Sequence, residues 1–127
     1  MTATSALLAG RRAAERLMLD TCTVAEAGTF DPESGEAVPG APLYSGRCKV
    51  ATFEPHERNP ELGGATVTVQ RYSVHVPVGS FEPEVGQVVT ITAAALDPHL
   101  AGNKFRVVSL LHKTAATAYR LGVEEGP

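Results

Sequence analysis

The sequence predicts a mainly β fold: a small antiparallel β-barrel of about six strands, with one N-terminal α-helix and long loops. Three observations carry that expectation. From Leu19 onward, apolar residues recur with a period of two. Clusters of Gly, Pro, Asp and Ser break the pattern at short intervals, and short strands so spaced suit an antiparallel barrel or a sandwich, of which six strands and a bend in the longest favour the barrel. In the longest alternating run the phase slips by one near Gln70-Arg71, which fits a β-bulge or a barrel corner.

Residues Thr4–Met18 read as a helix. They are rich in Ala and carry Arg11, Arg12, Glu15 and Arg16, with Thr4 or Ser5 as the expected cap. The apolar stripe is thin: Leu7, Ala14, then Leu17 or Met18, with Arg11 on the same side. Such a helix is marginal in isolation and needs a partner surface, either its own barrel or another subunit. The chain therefore divides into a helical segment, 1–18, expected to make an assembly contact, and a barrel domain, 19–127. The first strand alternates Asp20, Cys22 and Val24 with Leu19, Thr21 and Thr23. Residues 25–41 follow, a long loop with turn signals at Gly28, Asp31-Pro32, Ser34-Gly35 and Pro39-Gly40.

The second strand runs from about Leu43 to Phe53 and includes Tyr44, Cys48 and Val50. Residues 53–65 form a second long loop, where Pro55, Pro60 and Gly63-Gly64 stand among charged side chains. Thr66–Val78 reads as the longest strand, and Pro77 suits its end. After a turn from Gly79 to Gly86 come Val85, Val89, Ile91 and Ala93. Asp97-Pro98 starts a connection to Phe105, Val107 and Leu110-Leu111. Thr117, Tyr119, Leu121 and Val123 make the last strand.

Composition narrows the function. The 127 residues are 43% hydrophobic and 20% charged, which is enough for one core. A net charge of -3 argues against a broad basic face for nucleic acid. No apolar run reaches the roughly 18 residues of a membrane span. Arg11 and Arg12 follow a short apolar stretch, where a secretory signal places its charges first, so no signal peptide is expected. Cys22 and Cys48 read as small buried hydrophobes in a reducing compartment. They bridge only if their strands pair in a suitable register, and they lack zinc-site spacing.

Candidate chemistry is sparse. Glu54, His56 and Glu57 cluster in the second loop and could hold a cation, but a solvated charged loop explains them more simply. His75 lies on the less apolar face of its strand and reads as a surface or interface residue. Asp97 and His99 flank Pro98, where Asp97 is first a turn former. His112 stands alone. There is no Gly-x-Ser-x-Gly elbow, no Walker loop and no His-Glu-x-x-His. The expectation is a non-enzymatic chain with no catalytic residue, metal or cofactor.

Several ordered segments resemble the head-closure, or head-to-tail stopper, proteins of long-tailed bacteriophages. They are Arg16-Leu17-Met18-Leu19-Asp20-Thr21-Cys22-Thr23-Val24, Asp31-Pro32-Glu33-Ser34-Gly35, Leu43-Tyr44-Ser45-Gly46-Arg47-Cys48-Lys49-Val50 and Gln70-Arg71-Tyr72-Ser73-Val74-His75-Val76-Pro77. The most telling are Val85-Gly86-Gln87-Val88-Val89-Thr90-Ile91 and the run from Asp97-Pro98 to Gly102-Asn103-Lys104-Phe105-Arg106-Val107. Gln87 stands where many such proteins carry Asp. The resemblance implies a virion protein at the head–tail interface, assembled in the bacterial host cytoplasm. It implies a homo-oligomeric ring of roughly twelve-fold symmetry, bound to portal and adaptor proteins above and a tail-completion or tail protein below. It also implies transient, non-specific contact with packaged DNA and no membrane partner. The expected channel loop holds Glu54, His56, Glu57, Arg58 and Glu61; the expected assembly helix offers Leu7, Arg11, Arg12 and Arg16. A tail-completion or terminator ring is the nearest alternative. A barrel that binds a small ligand or peptide would instead need a deep apolar pocket lined by Tyr72, Phe105 or Tyr119. A metal-dependent hydrolase would use His56 with Glu54 or Glu57.

Overall fold

The computed structural model describes residues 2–53, 61–62, 65–66, 71–112, 114 and 116–125. In chain order the elements are α1 (Ala3–Arg16), β1 (Asp20–Ala25), β2 (Thr29–Phe30), β3 (Ala37–Val38) and β4 (Pro42–Phe53). They continue with β5 (Glu61–Leu62), β6 (Ala65–Thr66), β7 (Arg71–Val76), β8 (Val88–Ala93), a 3-10 turn (Pro98–Leu100), β9 (Lys104–Leu110) and β10 (Tyr119–Glu125). Six of the strands close into an antiparallel barrel in the order β1-β4-β7-β10-β9-β8. The expected fold class is therefore the observed one.

Alternation explains why these strands close around one core. Cys22 and Val24, Val74 and Val76, Val89 and Ile91, Phe105 and Val107, and Leu121 and Val123 are at most 1% exposed. Each pair is spaced by two and so points to one side of its strand. Phe105 is the largest fully buried side chain, and its ring meets Tyr72 at 5.4 Å between centroids. Tyr44, Tyr72, Leu100 and Tyr119 pack at the margins of the core. The interior is thus filled by side chains, as expected of a narrow barrel, and Phe105 and Tyr72 belong to that filling.

Three register shifts among the described residues help the sheet curve. In the β1–β4 ladder Val24 pairs with Tyr44 but Ala25 with Pro42, so Leu43 is extra. Leu121 pairs with Leu110 and Gly122 with Ser109, but Val123 pairs with Val107, so Val108 is the extra residue. The β1–β8 ladder shifts between Thr21 and Cys22. Ahead of β8, Gly86 takes φ +100, a conformation that favours glycine. Gln87 beside it is buried: its Oε1 accepts from Glu84 N at 3.0 Å and its Nε2 donates to Glu82 O at 3.1 Å. An Asp at this position would lack the donor.

Some expectations need correction. The helix ends at Arg16, with Thr2 as its cap in place of Thr4 or Ser5; Thr2 Oγ1 accepts from Ser5 N at 3.1 Å. Met18 lies beyond the last turn, buried at 6% exposure. Among the described residues the longest strand is Pro42–Phe53; of the expected strand Thr66–Val78, Thr66 belongs to β6, which pairs with Glu61–Leu62, and Arg71–Val76 is a barrel strand. The slip read near Gln70-Arg71 falls on residues 67–70, outside the described residues. Val85 is 64% exposed, because it sits in the turn before β8. The loop 25–41 contains a hairpin, for reasons that are local.

Candidate functional site

The β1–β4 ladder continues beyond the barrel. Ala25 pairs with Pro42, Glu26 N donates to Ala41 O at 3.0 Å, and then Thr29 pairs with Val38 and Phe30 with Ala37. Residues 26–41 therefore form a projecting β-arm. At its base a Cβ on Gly40 would fall on the carbonyl oxygen of Glu26, so glycine permits the close approach. At its tip Asp31 N donates to Glu36 O at 2.9 Å, and the Asp31 carboxylate accepts from Glu33 N at 2.9 Å and Ser34 Oγ at 3.1 Å. The Glu33 backbone bond, and after it the Ser34 hydroxyl, hold the Asp31 carboxyl below its usual range.

The arm exposes what a lone domain normally covers. Phe30 is 76% exposed and Val38 45%. Among the described residues β2 pairs only with β3, which leaves the outer edges open. Glu26, Asp31, Glu33 and Glu36 make the arm acidic, and no basic residue lies between 26 and 41.

The helix presents the opposite chemistry. Leu7, Gly10, Arg11, Ala14 and Glu15 are half-buried, a spacing of three and four that marks the barrel-facing side. A Cβ on Gly10 would meet Thr117 Cγ2 at 3.0 Å, and Arg11 Nε donates to Ala116 O at 3.2 Å. The outward side carries Leu8, Ala9, Arg12, Ala13, Arg16 and Leu17, all exposed. Leu8, Arg12 and Arg16 follow one another at intervals of four and form a single row. Of the residues expected to make the assembly contact, Arg12 and Arg16 face outward, whereas Leu7 is half-buried on the barrel-facing side and Arg11 bonds the helix to Ala116 O. Leu8, four residues before Arg12, is the exposed apolar residue on this row that the sequence reading did not single out.

These two surfaces stand at the two ends of β1. The chain enters β1 from α1 and leaves it into the arm, and the six residues of β1 at about 3.3 Å each span roughly 20 Å. One surface is acidic and apolar, the other basic and apolar.

Of the expected channel loop, Glu54, His56, Glu57 and Arg58 lie outside the described residues. Glu61 is the first residue of β5, opposite Thr66. The loop leaves the end of β4 and rejoins the barrel at β7, which are paired neighbours.

The remaining candidates have local roles. Cys22 pairs with Gly46 and Asp20 with Cys48, so the two buried, free cysteines are diagonal neighbours on adjacent strands. Contact with Cys22, together with burial, pushes the Cys48 thiol far above its ordinary range. Asp97 Oδ1 accepts from His99 N at 3.0 Å and caps the 3-10 turn. His112 is exposed. Among the described residues, no three His, Cys, Asp or Glu side chains gather as a metal site would require.

The chain belongs to a family of unknown function (DUF6093), whose model matches residues 10–124. No curated protein and no solved structure matches it.

Proposed function

We propose that this chain is a structural virion protein of a long-tailed bacteriophage, one subunit of a ring at the head–tail interface that closes the DNA-filled head and docks the tail. The observation that carries the reading is the placement of two complementary surfaces at opposite ends of β1. A chain with an acidic, apolar arm at one end and a basic, apolar helix face at the other associates head to tail. Head-to-tail contacts that close generate rings. Among the described residues, the exposed large hydrophobics Leu8, Leu17, Leu19, Phe30, Val38, Val85 and Leu96 suit a subunit better than a solitary domain. The sequence resemblance supplies the setting: a portal and adaptor above, a tail-completion or tail protein below, and packaged DNA in the channel.

In this reading the loop 53–65 faces the channel and restrains DNA through Glu54, His56, Glu57, Arg58 and Glu61. Arg58 is the single base among three acids there, and the net charge of -3 limits adhesion to phosphates. The filled barrel disfavours a ligand held in its lumen, because Phe105 occupies the space at 1% exposure. Deleting residues 56–63 tests the role. Particles are expected to assemble and then lose DNA. Particles that remain filled after the deletion contradict the gating role.

A further inference from the structure

Three basic side chains stand in one row across the outer face of the barrel. Lys49 on β4 pairs with His75 on β7, and His75 pairs with Arg120 on β10. Lys49 and Arg120 are held two strands apart, with the His75 ring between them. They are also covered: the end of α1 and the segment before β10 roof them over. A cavity of about 150 Å³ remains, lined by Lys49, His75, Arg120, Ala14, Leu17, Met18, Thr117 and Ala118. Met18 and Ala118 are buried, at 6% and 4% exposure, and close its apolar side.

The polar accounting in this cavity is incomplete. Among the described residues, Arg120 Nε is buried and has no hydrogen-bond partner. A buried donor left unmade costs more than most made bonds gain. His75 Nε2 is 3.2 Å from Ser73 Oγ. No carboxylate lines the cavity among the described residues. Glu15, half-buried on α1 beside Ala14, is the nearest acid in sequence and is not part of the lining. The C-terminal end of α1 contributes about half a negative charge. Lys49 and Arg120 contribute two positive charges, so most of the charge is unmatched.

We propose that this cavity binds a phosphate group, carried either by inorganic phosphate or by a nucleotide terminus. Near neutral pH a phosphate carries between one and two negative charges, which suits the two fixed cations. Its oxygens accept from the Arg120 guanidinium, the Lys49 ammonium and the Thr117 hydroxyl. A water occupies about 30 Å³ in the liquid, so the space holds one tetrahedral anion but not the backbone of a duplex. Bound phosphate would tie the last turn of α1 to three barrel strands. The His75 pKa is lowered by burial first and then by Arg120 and Lys49, and a bound phosphate would offset the part due to those two cations. This site stands whether or not the ring reading holds.

The test is an NMR titration of the His75 imidazole in the whole chain. Inorganic phosphate and AMP are added separately, with chloride at matched ionic strength as the control, and the resonance is assigned by its loss in His75→Gln. The expected result is a saturable shift with phosphate, AMP or both, and a rise in the His75 titration midpoint. Phosphate alone identifies the free ion; AMP binding at least as tightly identifies the terminal group. Lys49→Gln and Arg120→Gln should each weaken binding roughly tenfold or more. Lys49→Gln decides the matter if Arg120→Gln does not fold. Shifts no larger than chloride gives, or saturable binding unchanged in Lys49→Gln, would overturn the proposal.

Discussion

Replacing Phe30 by serine separates assembly from folding. Phe30 is 76% exposed and stands on the arm, outside the barrel core. Surface substitutions of this kind usually change stability by less than about 0.5 kcal/mol, which for a domain of this size moves Tm by roughly 2 °C. A neighbour covering the ring changes the account. A Phe offers about 200 Å² to burial, and 76% of that is about 150 Å² still uncovered. At about 25 cal/mol per Å² the ceiling is about 4 kcal/mol for each contact. Partial coverage and side-chain ordering reduce this to about 2 kcal/mol, roughly 30-fold in association. Thermal melts and sedimentation velocity over a concentration series, on wild type and Phe30→Ser, read the two quantities separately. The account expects an unchanged Tm and association shifted to much higher concentration. A Tm loss above about 5 °C, or an unchanged association curve, refutes the reasoning.

The other expectations concern charge, core and pH. Reversing Arg12 and Arg16 to Glu, or Glu33 and Glu36 to Arg, should each weaken self-association, and mixing the two variants should restore it; cross-linking yields read this directly. Phe105→Ala should cost about 3–5 kcal/mol and lower Tm by roughly 10 °C or more, because it empties the centre of the barrel. His75 has a folded pKa below its ordinary value of 6.5, so the folded state prefers the neutral ring. In low-phosphate buffer that contribution to stability is fully present above pH 6.5 and is lost as pH falls toward the folded value. His75→Gln should flatten this part of the stability–pH curve, measured by denaturant midpoints.

The barrel was legible because its code is local. Cys22 and Val24, Val89 and Ile91, and Phe105 and Val107 announce their faces by spacing alone, and the structure buries all six. The arm was not legible as structure. Its strands are two residues long, their apolar residues are exposed, and the surrounding turn formers mask the alternation. The helix register was half legible: Leu7 and Arg11 read as one stripe, but which stripe faces the barrel depends on Gly10 meeting Thr117, far away in the chain. The Lys49–His75–Arg120 row was invisible, because three residues on three strands become neighbours only through pairing register. His75 read correctly as belonging to the less apolar face; its cationic neighbours could not be read from its own strand.

The central claim is a ring between head and tail, and electron cryomicroscopy of the neck of the assembled particle addresses it most directly. The account predicts a ring of six-stranded barrels below the portal and adaptor, with each acidic arm against the outward helix face of the next subunit. A neck whose density contains no such barrel, in particles from which this chain is absent by mass spectrometry, would contradict it.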